Sequence, residues 1–395
     1  MISHSLYLHI PFCRHRCGYC DFNTYAGLDS LVPQYVRALC AEMVYLRNRL
    51  EHALPVHTVF LGGGTPSLLP IAELENILGT LMVCFNLHPQ AEVSLEANPG
   101  TVSLEYLRSL HALGINRLSL GMQTASPEEL RLLEREHDFQ AVIEAVSWSQ
   151  RAGFDNLNLD LIFGLPYQAL SSWQRSLELA IGLCPEHLSL YSLTLEHGTP
   201  LGRWAERGLI SEPDSDIAAE MYEWSMERLE RSGYEQYEIS NWAVRRDGQL
   251  LSCSHNLHYW RNQPYLGLGA GAHGYAGGIR TANVLAPAAY IQRLLSSGNQ
   301  DHTFPMTPAT QSAQLIDQQA EIAETMMTGL RLVEEGVSSR DFRERFGLTL
   351  QDVFPVQIDH LIQIGLIEWS GDDQERLRLT RRGRLLGNQV FVEFI

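Results

Sequence analysis

Ser5-Leu6-Tyr7-Leu8-His9-Ile10-Pro11-Phe12-Cys13-Arg14-His15-Arg16-Cys17-Gly18-Tyr19-Cys20 opens as an alternating apolar run, stops at a proline, and then places three cysteines within eight residues. The run over Ser5–Ile10 reads as a strand. Cys13-x3-Cys17-x2-Cys20 is the loop that leaves it. An iron–sulfur cubane needs four ligands unless something exogenous takes the fourth iron. Three close cysteines on one loop can grip three corners and leave the fourth facing a cavity. A zinc knuckle with His15 as fourth ligand is the alternative, but His15 sits inside the tight loop, where reaching the same metal is strained. Three buried thiols is a weaker reading, because Arg14, His15, Arg16 and Gly18 surround them. The chain has seven cysteines, an odd number, which argues for metal chemistry over a disulfide framework. Cys40, Cys84 and Cys184 lie on helical or core-like stretches and read as packing residues.

Outward from this loop, strand-like runs alternate with helical ones. The strands are expected at Ser5–Ile10, Val56–Leu61, Glu92–Glu96, Arg117–Leu120, Leu157–Phe163 and Leu188–Leu195. Leu157-Asn158-Leu159-Asp160-Leu161 shows the period of two most plainly. Helical spacing marks Val32–His52, Ile71–Cys84, Pro127–Glu136 and Gln140–Ala152. Ser126-Pro127-Glu128-Glu129 supplies an N-cap, a first-turn proline and acids at the positive helix end. Six such alternations predict an α/β fold, a parallel sheet curled into a partial (β/α)6 barrel.

Pro213–Gly233 reads as a further amphipathic helix, and Tyr234–Gly274, rich in aromatics, Asn and Gly, as irregular. From Gln314 onward the pattern changes to a helix, a helix over Ser338–Phe346, a helix over Val353–Ile364, and a hairpin of Leu366–Trp369 with Leu377–Leu379 around Gly371-Asp372-Asp373. That order is mainly helical and winged-helix-like. The expected domains are therefore a barrel over 1–235, a linking region over 236–310 and a C-terminal domain over 311–395.

The formal charge is −17, which disfavours polyanion binding. Arg331 to Ile395 holds nine Arg against eleven acids. The winged-helix pattern is thus read as a lid or docking module, with no nucleic-acid partner. All 29 basic residues are Arg. A Schiff-base lysine and a P-loop lysine are both excluded. No apolar run approaches the roughly 20 residues that span a bilayer. The first residues lack a basic, then apolar, secretory pattern, so a cytoplasmic location is expected.

Cys-x3-Cys-x2-Cys after a first strand resembles the radical SAM (S-adenosylmethionine) superfamily. With Tyr7-Leu8-His9-Ile10-Pro11-Phe12-Cys13 it resembles, over essentially the whole chain, the oxygen-independent coproporphyrinogen III oxidase family. The resemblance implies a [4Fe–4S] cluster on Cys13, Cys17 and Cys20 with SAM on the open iron, and reductive cleavage of SAM, hard chemistry that the cofactor carries. Candidate SAM contacts sit at strand ends, where a barrel places function. Gly63, Gly64 and Thr65 follow the second strand, Glu96 ends the third and Gln123 the fourth. Arg135 is expected in the following helix and Asp160 in the fifth strand. Tyr7 and Tyr19 complete the family's pattern. Read alone, Glu96 and Asp160 are satisfied core polars, Arg135 is a solvated helix residue, and the glycines form a tight turn.

Two departures separate this chain from the oxidases. They carry a fourth cysteine where Phe22 stands here, and a longer segment before the first strand. Both point to the HemW-type heme chaperones. His255-Asn256-Leu257-His258-Tyr259-Trp260 matches the HNxxYW motif of that family. A neutral imidazole is a good heme ligand, aromatic rings offer walls for a porphyrin, and Asn256 can orient the histidine or bond a propionate. The expected heme residues are His255, Asn256, Tyr259 and Trp260, on a surface loop, with His258 and Cys253 as alternative ligands. Without the motif, such a histidine reads as a hydrogen-bonded packing residue. Gly267-x-Gly269-Ala270-Gly271-Ala272-His273 resembles the family's glycine stretch. The implied function is heme transfer to acceptor proteins, those at a membrane included. The competing readings are an anaerobic coproporphyrinogen III oxidase and a radical SAM enzyme on another substrate; no catalytic residue is assigned.

Overall fold

The computed structural model describes residues 3–296, 301–371 and 375–395. It divides into two compact units, Met1–Met221 with Pro264–Gln314, and Tyr222–Gln263 with Leu315–Ile395. This differs from the three consecutive segments expected from sequence. The middle stretch is shared between the units, because Tyr265–Leu268 returns to pair in parallel with the first strand, from Ser5 opposite Tyr265 to Leu8 opposite Leu268.

In the first unit six strands lie side by side in chain order, β1 His4–Ile10, β2 Pro55–Gly63, β3 Asn86–Ala97, β4 Arg117–Gln123, β5 Leu157–Phe163 and β6 His187–Ser192. Every neighbouring pair is parallel. Helices α1 Val32–Arg47, α2 Ile71–Cys84, α3 Leu104–Ala112, α4 Pro127–Leu132, α5 Phe139–Ala152 and α6 Leu170–Gly182 alternate with them. The fold is a partial (β/α)6 barrel. The period of two sorts the side chains: Leu157, Leu159 and Leu161 are buried on one face of β5, Asn158 and Asp160 on the other. In register, Ser119 lies beside Asn158 and Gly121 beside Asp160 on β4 and β5, and Ser189 beside Asp160 on β6. One face is thus aliphatic and the other carries the polar residues.

Element ends depart from expectation for local reasons. Helix α1 stops at Arg47, because Arg49 N and Leu50 N bond three residues back and tighten the last turn. Ser126 caps α4 as expected, its Oγ accepting from Glu129 N at 3.4 Å. Helix α4 ends at Leu132, not Glu136, and Glu134 takes a left-handed φ of 55°. Arg135 therefore lies beyond the helix. Strand β6 ends at Ser192, so the chain to Leu195 is loop.

In the second unit, Ser339–Phe346, Leu350–Val353 and Pro355–Gln363 are helices, and Ile367–Ser370 pairs antiparallel with Arg376–Leu379. Val337–Ser338 adds a third short strand on Arg376–Leu379. This is the winged-helix order, packed around Phe342, Ile358, Leu361, Leu377 and Leu379. Asp372 and Asp373 of the expected turn lie outside the described residues. Tyr234–Gly274 is not irregular. It holds the antiparallel pair Tyr234–Glu238 and Asn241–Arg246, a helix over Ser254–Trp260 and the strand Tyr265–Leu268. Elements this short show no readable period and depend on tertiary packing.

Candidate functional site: a cysteine loop over a carboxylate-lined cavity

The cysteine loop is built from backbone bonds to its neighbours. Gly18 N donates to Leu133 O at 3.2 Å, and Leu201 N donates to Gly18 O at 2.9 Å. Across the loop, Gly64 N and Thr65 N each donate at 2.8 Å, to Ile10 O and Phe12 O. A Cβ on Gly64 would stand 2.6 Å from Phe12 O, so only glycine lets the β2 turn lie this close to the cysteine strand. Beyond Cys20, Asn23 fastens the loop. Its Nδ2 donates to Ala270 O at 3.0 Å and Leu285 O at 2.9 Å, and its Oδ1 accepts from the Tyr25 hydroxyl at 3.1 Å. His9 Nε2 donates to Asn23 O at 2.9 Å, which leaves Nδ1 to accept from the Tyr7 hydroxyl at 3.0 Å. Burial lowers the His9 pKa and keeps that ring neutral.

The three thiols meet different partners. Thr65 Oγ1 donates to Cys13 Sγ at 3.7 Å, Arg135 Nη1 donates to Cys17 Sγ at 3.5 Å, and Cys20 Sγ lies 3.8 Å from Thr24 Oγ1. Burial raises the Cys13 and Cys20 pKa values. Among the described residues no three His, Cys, Asp or Glu side chains gather as ligands of one metal ion. A cubane takes each thiolate at its own iron and does not ask for that convergence.

Beside the loop a cavity of about 450 Å³ opens at the C-terminal ends of the strands. Sites for small molecules run to roughly 300–1,000 Å³. Cys17, Cys20, Tyr19, Gly63, Gly64, Thr65, Glu96, Gln123, Arg135 and Asp160 line it, so eight of the nine expected SAM residues come together here. Tyr7 is outside the lining; its ring stacks on Phe60 at 6.3 Å. Cys13, 8% exposed, is also outside it. Gln123 holds a left-handed φ of 64°. Such strain persists only where surroundings enforce it and collects at functional sites.

Four carboxylates line the cavity, on Asp21, Glu96, Asp160 and Glu196, against the single guanidinium of Arg135. Glu96 Oε2 accepts from Gly63 N at 3.1 Å. Burial, then the charge of Asp160, pushes the Glu96 carboxyl up to about 7. Asp160 is also raised by burial, although Ser119 Oγ at 2.7 Å and Asn158 Nδ2 at 2.9 Å donate to it. A pair of crowded carboxyls suits a cationic ligand, and SAM brings an ammonium and a sulfonium. The donor set therefore fits both a three-thiolate cluster and SAM.

His255, Asn256, Tyr259 and Trp260 belong to the second unit and do not line the cavity. They lie on the helix Ser254–Trp260, not on a surface loop. His255 is 1% exposed, and its Nε2 lies 3.0 Å from the Tyr259 hydroxyl. Asn256 Nδ2 donates to the Tyr237 hydroxyl at 3.4 Å, and the Arg331 guanidinium stands 4.3 Å over the Trp260 ring. Cys253 and His258 are equally buried. The glycine stretch is a strap: Gly269 N donates to Glu42 Oε2 at 2.9 Å and Ala270 N to the Tyr35 hydroxyl at 2.8 Å.

Sequence reasoning did not assign Ser119, Gly121, Asn98, Ile162 or Tyr191 to the cavity. Ser119, Gly121 and Ile162 were legible through the same strand period as Asp160. Phe22, 62% exposed, also lines it, at the position where the oxidases carry a cysteine.

Comparison with known proteins defines the class first. Residues 7–180 match the Radical SAM superfamily and residues 316–386 the HemN C-terminal domain. The solved Escherichia coli coproporphyrinogen III oxidase (HemN), a radical SAM enzyme, superposes with a TM-score of 0.83 over 100% of this chain and 90% of its own. At 24% identity that likeness speaks for the fold alone. The barrel with its cysteine loop is thus of the radical SAM class. "Heme chaperone HemW" of Bacillus subtilis is 38% identical over 394 residues, covering 99% of both chains. The Escherichia coli protein of that name is 33% identical over 99% of this chain and 98% of its own. The mitochondrial radical S-adenosyl methionine domain-containing protein 1 of Bos taurus is 35% identical over 92% and 81%. The chain belongs to the HemW family.

Proposed function

We propose that this chain is a cytoplasmic heme carrier that passes heme to acceptor proteins, those at a membrane included. It holds a [4Fe–4S] cluster on Cys13, Cys17 and Cys20, with SAM in the barrel cavity. The observation that carries the reading is end-to-end likeness to proteins named heme chaperones. The cavity adds support, since its thiols and carboxylates suit a cluster and a cationic ligand. The bound pair would supply one-electron chemistry. Glu96 and Asp160 would meet the cationic groups of SAM, and Tyr19, Gly63, Gly64, Thr65, Gln123 and Arg135 would orient it. Tyr7 acts from behind, through His9. Among the described residues no helix is long and apolar enough to cross a membrane.

For the cargo, His255 is the proposed iron ligand, with Asn256, Tyr259 and Trp260 around the porphyrin. Its imidazole is packed against Tyr259, so uptake requires the seven-residue helix to open. A helix this short has little stability of its own, which suits a carrier that must load and release.

Hemin titration tests this. Wild type shows a shifted Soret band, and His255→Ala weakens binding at least tenfold with iron and sulfide content unchanged. Loss in His258→Ala or Cys253→Ala alone would move the ligand but keep the carrier. Indifference of all three removes the heme reading of the motif. With SAM and a strong reductant, coproporphyrinogen III should stay unconverted, since Phe22 replaces the oxidases' cysteine. Turnover on the order of one per second would assign the oxidase activity.

A further inference from the structure

We propose that Arg135 sets the reduction potential of the cluster, by holding a hydrogen-bonded positive charge against the Cys17 sulfur. The inference rests on the cluster reading above, and it is separate from any contact of Arg135 with SAM.

The guanidinium is held at two points. Nη1 donates to Cys17 Sγ at 3.5 Å and Nη2 to Gly121 O at 2.9 Å. The backbone delivers it there: α4 ends at Leu132, Glu134 turns through its left-handed φ, and Arg135 N closes the turn on Leu130 O at 2.9 Å. Gly121 makes room, since a Cβ at that position would stand 3.1 Å from Arg135 Nη2 and 2.7 Å from Gln123 Nε2. Arg135 Nε is buried with no hydrogen-bond partner, so this group remains for a ligand.

Its charge is felt locally. His137 is pushed down to about 4, by burial first and by the Arg135 charge second. Other cations on the loop stand differently. Arg14 and Arg16 are exposed, and Arg16 Nη2 donates to Cys20 O at 3.2 Å, not to a sulfur. Water and salt screen exposed charges far more than half-buried ones. Arginine also stays protonated throughout the useful pH range.

Reduction adds one electron to the cluster. A cation and an N–H donor on a ligating sulfur stabilise the more negative state, so they raise the potential. Removing them lowers it. The Thr65 and Thr24 hydroxyls and the Phe22 backbone at Cys13 and Cys20 carry no charge and cannot replace this effect.

The test is a redox titration of anaerobically reconstituted full-length protein, followed by electron paramagnetic resonance without SAM. Leaving SAM out removes any contribution from its contact with Arg135. Arg135→Gln should hold its iron and sulfide but show a more negative midpoint. Arg135→Lys, which keeps the charge, should move back toward wild type. Gly121→Ala, which displaces the guanidinium, should shift the same way as Arg135→Gln. Arg131→Gln, one turn earlier and exposed beside Glu128, should leave the midpoint unchanged. Wild-type midpoints in Arg135→Gln with full cluster content overturn the proposal. If Arg135→Gln takes up no cluster, a wild-type midpoint in Gly121→Ala with full cluster content overturns it. A wild-type protein that binds no iron and sulfide would instead bring down the cluster reading, and this inference with it.

Discussion

Glu96 shows how one side chain ties stability to ligand. Its carboxyl titrates at about 7 because burial and Asp160 disfavour the anion. The folded protein then holds the proton more tightly than the unfolded chain does. Stability is fully present at low pH and declines as pH rises through about 7, by up to about 3 kcal/mol from this group. In ligand-free protein, urea titrations should show Glu96→Gln gaining on wild type by up to that amount between pH 5 and 8. A cationic ligand reverses the balance, because it needs the carboxylate. SAM affinity of reconstituted wild type, measured by calorimetry, should therefore fall roughly tenfold from pH 7.5 to pH 6. Glu96→Gln should bind weakly at both. A wild-type affinity flat over that range removes Glu96 from the ligand set.

At the scale of elements, the turn after β2 and the cysteine loop form one unit. Thr65 reaches Cys13 Sγ only because Gly64 lies against the Ile10 and Phe12 carbonyls. Those neighbours are backbone and give little. Gly64→Ala should cost about 1–3 kcal/mol, as overpacking does, and should lower iron and sulfide retained after reconstitution. Asn23→Ala removes the loop's ties to Ala270 and Leu285 and leaves the barrel strands alone. It should keep the thermal midpoint within a few degrees of wild type while the cluster is lost faster on exposure to air. If the cluster in Asn23→Ala is as durable as in wild type, the loop does not depend on this tie.

Across the whole first unit, a buried carboxylate fastens the returning chain to the barrel. The chain leaves at Met221, comes back at Pro264, and lays a strand on β1. Glu42 on α1 is fully buried and takes four bonds from that return. They come from Gly269 N at 2.9 Å, Asn283 Nδ2 at 3.0 Å, the Tyr290 hydroxyl at 2.6 Å and Thr307 Oγ1 at 2.8 Å. Burial raises its pKa, and the four donors oppose that rise. Glu42→Ala strands four buried donors and should cost about 3 kcal/mol or more in urea unfolding. Glu75→Ala, exposed on α2, should change stability by no more than about 0.5 kcal/mol. Equal effects of the two would mean that the return segment is not held through Glu42.

The six-strand barrel, the cysteine loop and eight of the nine expected SAM residues around the cavity were legible in the residues alone. Those rest on local signals: a period of two in Leu157–Leu161, a capped helix at Ser126, glycines at a strand end. Parallel strands joined by helices then bring their C-terminal ends together without further instruction. Only the tertiary structure decided that Arg135 leaves its helix to meet Cys17, that His255 is packed on a helix against Tyr259, and that Tyr265–Leu268 comes home to β1. Each depends on an element of a few residues, too short to show a period. Each is stabilised by partners distant in sequence, as Arg135 is by Cys17 and Gly121, and such long-range bonds leave no mark on the local pattern.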